Sequence, residues 1–255
     1  LICETYHLMR DFIGLQQDEM AKVFEEWNKG ELDSFLIEIT SEILKFKDAD
    51  GKYLLPKIRD TAGQKGTGKW TSISALEYGT PVTLIGEAVF ARCLSALKDE
   101  RGIASTTLPG PVNSGSEFKN ASDKKAFLED LRKALYASKI ISYAQGFMLL
   151  REAAKVNNWN LNYGSIALMW RGGCIIRSAF LGNIKDAFVK NSKLINLLFD
   201  PYFKDRIAAS EQSLRRVVAK AALVGVPIPA FSAALAFYDG YRCLDLPANL
   251  LQAQR

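Results

Sequence analysis

Lys139-Ile-Ile-Ser-Tyr-Ala-Gln-Gly-Phe-Met-Leu-Leu150 is apolar on more than one face of a helix. It lies inside a helical pattern that runs from Asp123 to about Val156 with no proline and a single glycine. A helix apolar round most of its circumference is buried on several sides. The rest of the chain is therefore expected to pack around it, and some of the burial can come from a second copy.

Working outward, apolar residues keep helical spacing almost everywhere and no alternating strand stands out. Ile2, Tyr6, Met9 and Ile13 form one stripe that ends near Gly14. Met20, Val23, Phe24 and Trp27 form a second, with Asp18 as the expected N-cap and Gly30 as the stop. Leu32, Phe35, Leu36, Ile39, Ile43 and Leu44 form a third. A further helix is predicted from Thr80-Pro81, with threonine as the cap and proline in the first turn. Residues Arg101 to Ser122 are rich in Gly, Pro, Ser, Thr and Asn and are predicted to be an exposed loop. Beyond the central segment, helices are predicted around Gly164–Trp170, Cys174–Lys190, Glu211–Leu223, Pro229–Tyr241 and Pro247–Arg255.

The punctuation repeats. Trp27-x-x-Gly30 precedes Gly79-x-Pro81-Val82 by 49 residues from glycine to glycine, and Trp170-x-x-Gly173 precedes Gly225-x-Pro227-Ile228 by 52. The expected fold is all-α: one large multi-helix domain over residues 1–255, built from two similar halves at roughly 1–100 and 123–245.

A net charge of +5 over 255 residues suits an anionic small molecule and is too diffuse for nucleic acid. Cys3, Cys93, Cys174 and Cys243 form no C-x-x-C pair and are expected to be reduced and mostly packed thiols. No apolar run reaches the roughly 18 to 20 residues a bilayer demands, and no signal peptide is expected. The chain opens at Leu1, inside an amphipathic pattern, as a piece cut from a longer protein does.

Gly63-Gln-Lys-Gly-Thr-Gly-Lys-Trp70 is the segment richest in chemistry. Its glycines let backbone approach a ligand, and Lys65, Thr67 and Lys69 offer charge and a hydroxyl to an anion. It begins like a triphosphate loop, but Trp70 stands where Ser or Thr would hold magnesium, and no strand leads in. A solvated basic turn and a small-anion cradle both fit. Arg92, at the margin of its helix's apolar stripe, reads either as a snorkelling side chain or as a guanidinium gripping an anion at a cavity edge. His7 is the only histidine, so Glu4-x-x-His7 is not half of a di-iron site, multi-histidine zinc is excluded, and a Ser-His-Asp triad is not expected. Asp48-Ala-Asp50-Gly51 has its glycine too early for a calcium loop and reads as a turn.

Longer strings carry a resemblance: Leu54-Leu-Pro-Lys-Ile-Arg-Asp60 running into Gly63–Trp70, Ser74-Ala-Leu-Glu-Tyr-Gly79, and Gly86-Glu-Ala-Val-Phe-Ala-Arg92. To these are added Tyr136-Ala-Ser-Lys-Ile-Ile-Ser-Tyr-Ala-Gln-Gly146, Trp170-Arg-Gly-Gly-Cys-Ile-Ile-Arg177 and Gln252-Ala-Gln-Arg255. In order and over nearly the whole chain, they resemble the helical domain of the decarboxylating 6-phosphogluconate dehydrogenases. The resemblance implies a homodimer whose subunits join an NADP-binding domain to a duplicated helical domain and a tail. It implies oxidation of 6-phosphogluconate by hydride transfer to NADP, with loss of CO2 and no metal. Lys65, Thr67 and Arg92 match the family's phosphate clamp, and Arg255 matches an arginine donated to the neighbouring subunit's site.

The family's general-base lysine and general-acid glutamate fall before the point matching Leu1, so no catalytic residue is expected in this chain and it is expected to be inactive alone. The family's place in sugar-phosphate metabolism, with the reduced cysteines, implies a cytoplasmic protein. Two rival readings are a non-catalytic helical dimerisation or scaffold domain and a related β-hydroxyacid dehydrogenase, whose helical domain is much smaller.

Overall fold

The structure is a computed structural model and describes residues 1–111, 118 and 120–255. Among them, all regular structure is helical apart from two isolated bridges, Ser34 with Ser178 and Lys47 with Tyr53. The first helices are α1 (Ile2–His7), which continues as a π-helical turn through Leu8–Ile13, then α2 (Gln17–Trp27) and α3 (Phe35–Lys45). Next come α4 (Thr67–Glu77), α5 (Thr83–Ala96), α6 (Lys98–Thr107) and α7 (Ala121–Asn157). The chain finishes with α8 (Tyr163–Met169), α9 (Phe180–Lys190), α10 (Pro201–Ala208), α11 (Glu211–Val224), α12 (Pro229–Tyr241) and α13 (Ala248–Ala253).

The axis of the molecule is α7, 37 residues and thus about 55 Å long. The Asn120 side chain caps it by accepting from the Asp123 amide at 3.0 Å, and Asn158 ends it in the left-handed conformation. Leu131, Ile140 and Ala144 are fully buried. Helices α1, α5, α10, α11 and α12 all pack on α7, which accounts for its apolar circumference.

Lys139 and Gln145, two of the polar residues in the run from Lys139 to Leu150, each have an assignment. Gln145 is buried and caps α5: its Oε1 accepts from the Leu84 amide at 3.1 Å and its Nε2 donates to the Thr83 hydroxyl at 3.0 Å. Lys139 donates to Ser178 Oγ at 2.5 Å, while Ser178 donates to the Asp33 carbonyl at 3.1 Å. Burial pulls the Lys139 ammonium down from 10.5 to about 8, with Asp33 opposing. Between pH 8 and 10.5 the unfolded chain holds a proton that the folded chain does not, so stability rises with pH across that window. Lys139→Met is expected to abolish this rise and to stabilise the protein by about 1–2 kcal/mol at pH 7, as followed by urea unfolding at several pH values.

The residues that punctuate the sequence repeat also meet. Ser34 follows Trp27-x-x-Gly30 and Ser178 follows Trp170-x-x-Gly173. They pair in a bridge closed by Phe35 N–H to the Arg177 carbonyl at 3.0 Å and Ala179 N–H to the Asp33 carbonyl at 3.2 Å. Gly79 and Gly225 both adopt positive φ, 63° and 72°, and the helices that follow them, α5 and α12, pack on each other.

Several local expectations need correction. Gln16, not Asp18, caps α2, exchanging hydrogen bonds with Glu19. Helix α5 starts at Thr83 rather than Thr80-Pro81, because Gly79–Val82 forms a turn and the cap comes from Gln145. Residues 101–107 are helical: the Ser105, Thr106 and Thr107 hydroxyls donate to carbonyls of their own helix at 2.8–2.9 Å, so the loop-like composition misleads. The rest of that predicted loop includes residues 112–117 and 119, which lie outside the described residues. Cys174–Ser178 is not helical, since Arg177 and Ala179 give their backbone groups to the bridge with α3. The buried face of α3 is Ile37, Ser41 and Leu44, leaving Leu36 and Ile43 exposed. Cys3, Cys93 and Cys243 are exposed rather than packed, and all four thiols are free. No described helix is long and apolar enough to cross a membrane.

Candidate functional site

Helices α4 and α5 form an antiparallel hairpin whose register can be followed contact by contact. Near the tight end, the Ser72 side chain lies beside Gly86. One turn further out, Gly68 sits so close to Val89 that a Cβ on Gly68 would stand 2.7 Å from Val89 Cγ2. Beyond that, the Ala62 amide donates to Ser95 Oγ at 2.9 Å. At the open end, Lys98 Nζ meets Asp60 at 2.6 Å. The pairs step in opposite directions along the two strands of the hairpin. Lys65 therefore comes opposite Arg92, between the Gly68–Val89 and Ala62–Ser95 contacts.

Gly66 makes the start of α4. Its φ of 144° is open to glycine and strained for any other residue. No side chain caps this helix, so the first-turn amides at Thr67, Gly68 and Lys69 face outward with the positive end of the helix dipole. A helix end of this kind, with a lysine just before it and a hydroxyl on its first residue, is suited to a small anion.

The charges divide cleanly. Lys98 and Arg101 both engage Asp60, and the Lys98 ammonium in particular pulls its carboxyl down to about 2. Arg59 reaches Asp99 at 3.6 Å. Lys65, Lys69 and Arg92, by contrast, are exposed, and no carboxylate lies within ion-pair distance of them among the described residues. Three uncompensated cations around one helix N-terminus can bind a phosphate dianion without first breaking an ion pair. An exposed, unpaired Arg92 fits both a snorkelling side chain and a guanidinium held for an anion.

Arg255 stands apart. Its side chain is exposed beyond α13 and makes no hydrogen bond or ion pair with another described residue. Within one chain, the Gly68–Val89 and Ala62–Ser95 contacts bracket the stretches that carry Lys65, Thr67 and Arg92, and Arg255 lies on neither stretch. The other sequence decoys have structural assignments. The Glu4 carboxylate accepts from the Ala230 and Phe231 amides at 2.8 and 3.1 Å and caps α12, while His7 pairs with Asp11. Lys57 Nζ sits between Asp48 and Asp50, at 3.0 and 2.6 Å, where a cation would have to bind.

Sequence reading missed the residues that hold the hairpin: Asp60, Ser95, Arg101 and Gln145. Only Gln145 left a signal, as a lone amide in an apolar run that had to find a partner.

A family model described as "6-phosphogluconate dehydrogenase, C-terminal domain" matches residues 1–255. The sheep and human proteins named "6-phosphogluconate dehydrogenase, decarboxylating" are 70% and 69% identical over all 255 residues of this chain, which cover 52% of each relative. A solved structure of Plasmodium falciparum 6-phosphogluconate dehydrogenase superposes with a TM-score of 0.94 at 42% identity, over the whole of this chain and 54% of that one. That protein was solved in its apo form, in complex with its cofactor NADP+ and in complex with its substrate 6-phosphogluconate. The chain spans about half the length of the relatives it matches, and it belongs to the family of 6-phosphogluconate dehydrogenase C-terminal domains.

Proposed function

We propose that this chain is the substrate-clamping and dimer-forming part of an NADP-dependent enzyme that oxidises 6-phosphogluconate and releases CO2 to give ribulose 5-phosphate. The observation that supports the reading is the α4–α5 register: the Gly68–Val89 and Ala62–Ser95 contacts bracket Lys65, Thr67 and Arg92 beside an uncapped helix N-terminus, and no carboxylate pairs with them among the described residues. Lys65 is a point charge, Thr67 a hydroxyl donor and Arg92 a planar fork, a complementary set for phosphate oxygens. Gripping the phosphate orients the sugar acid, so that its reacting carbon is presented to groups outside this chain. The hydride acceptor's site and the proton-transferring lysine and glutamate are assigned to no residue here.

In this reading the protein is a homodimer, and Arg255 completes the clamp of the neighbouring subunit. Support comes from the Arg255 side chain having no hydrogen-bond or ion-pair partner among the described residues, and from large apolar side chains on the α4–α5 hairpin that a single copy leaves uncovered. Leu76 is 85%, Trp70 70% and Phe90 66% exposed. The duplication into halves near 1–100 and 123–245 is supported by the Ser34–Ser178 bridge and the α5–α12 packing. Cytoplasmic residence is proposed from the family's place in sugar-phosphate metabolism.

The deciding experiment follows NADPH and CO2 from a longer protein carrying this domain when 6-phosphogluconate is added. Equal yields are expected, with none from the isolated chain. A folded, NADP-binding protein that does not turn over would refute the reading and leave a scaffold domain.

A further inference from the structure

The phosphate loop is a permissive stretch of backbone. Between Ala62 and Thr67 it contains Gly63 and Gly66, the latter at φ 144°, and among the described residues no side chain from 63 to 66 forms a hydrogen bond. Something outside the loop must therefore decide where Lys65 stands relative to Arg92. Gly68 against Val89 pins the far side. On the near side there is one direct tie, and it runs through a residue that touches no phosphate.

We propose that Ser95 is a positioning residue of the clamp, coupling the phosphate loop to the turn of α5 that carries Arg92. Its Oγ accepts from the Ala62 amide at 2.9 Å, three residues before Lys65. The same Oγ lies 2.7 Å from the carbonyl of Arg92 and 3.3 Å from that of Ala62, so its one proton goes to Arg92. One hydroxyl thus links the backbone of one clamp arm to the loop that bears the other two. Asp60 and Arg101 back this tie: Arg101 donates to the Ser95 carbonyl at 2.9 Å and to the Asp60 carbonyl and carboxylate at 3.2 and 3.3 Å. Loss of the tie leaves every ligand of the phosphate in place and loosens only their spacing.

The inference rests on the proposal that Lys65, Thr67 and Arg92 hold the substrate's phosphate, and its test separates the two. In the longer protein, Ser95→Ala is expected to raise KM for 6-phosphogluconate roughly three- to tenfold, with kcat and KM for NADP+ changed less than about twofold. Ser95→Thr, which keeps the hydroxyl, is expected to restore most of the affinity. Asp60→Asn leaves Ser95 intact and weakens the hold on Lys98 and Arg101, so a smaller rise in the same KM is expected. It serves as the test should Ser95→Ala not fold. Wild-type turnover with an unchanged KM for 6-phosphogluconate in the variant that folds overturns the inference alone. A parallel fall in kcat and in affinity for both substrates, with a lowered thermal midpoint and no rescue by Thr, also overturns it, as a merely structural role. Failure of the wild-type protein to oxidise 6-phosphogluconate overturns the functional reading, and this inference with it.

Discussion

Arg92→Ala in the longer protein is expected to raise KM for 6-phosphogluconate by about two orders of magnitude, at roughly 1.5–3 kcal/mol for each charged hydrogen bond removed from a two-pronged contact. The loss is large because nothing nearby substitutes. Lys98 and Arg101 are committed to Asp60, and Arg59 to Asp99. Among the described residues, Lys65 and Lys69 remain as unpaired cations at the helix start. Arg92→Lys keeps the charge but gives up the planar fork, so an intermediate loss of about tenfold is expected. The value of kcat falls as well, because the grip on the phosphate positions the far end of the sugar acid. KM for NADP+ stays near its wild-type value. Steady-state kinetics with each substrate varied in turn decide the matter: an unaltered KM for 6-phosphogluconate would remove Arg92 from the clamp.

The largest loss of stability is expected from Phe180→Ala, about 3–5 kcal/mol by urea unfolding. Phe180 is buried at the start of α9, its ring 5.1 Å from Tyr143, 6.1 Å from Tyr136 and 5.4 Å from Phe203. It therefore joins α9 to both α7 and α10, and the Lys139 ammonium lies over its face at 5.2 Å. Truncation removes three edge-to-face contacts and opens a cavity beside the Ser34–Ser178 bridge. The walls of that cavity belong to three different helices and cannot all move in. Since a domain holds only about 5–15 kcal/mol of net stability, this one side chain accounts for a large share of it. Phe199, half exposed and stacked on Tyr241, serves as the control, with an expected cost below about 1 kcal/mol. A comparable small loss at Phe180 would contradict the packing of α9 on α7.

The sequence announces its helices where burial is periodic and hides them where hydroxyls carry the structure. The run through α7 was legible because almost every residue facing a neighbour is apolar, and Gly14, Gly30 and Gly225 mark stops where the backbone turns. The helix through Arg101–Thr107 was not, because serine and threonine satisfy themselves on their own helix and resemble a loop in composition. The face of α3 was misjudged for a related reason: it carries more apolar residues than one buried stripe can use, so pattern alone could not choose between Ile37 and Leu36. At the candidate site, the ligand types were visible as glycines and cations, and the family resemblance assigned Lys65, Thr67 and Arg92 to phosphate. The register between α4 and α5 was invisible, since it depends on Gly68, Val89, Ala62 and Ser95 meeting across a turn. The identities of residues can suggest a clamp, but only their contacts show what keeps its arms apart.

The Glu4 carboxylate that caps α12 has a consequence for biosynthesis. Its partners, the amides of Ala230 and Phe231, are 226 and 227 residues further along the chain. A ribosome adding about 5–20 residues each second reaches them roughly 10–45 s after Glu4 is made. Throughout that interval Glu4 lacks the neighbour that takes up its charge. The seam between the two ends is thus among the last parts of the domain able to close.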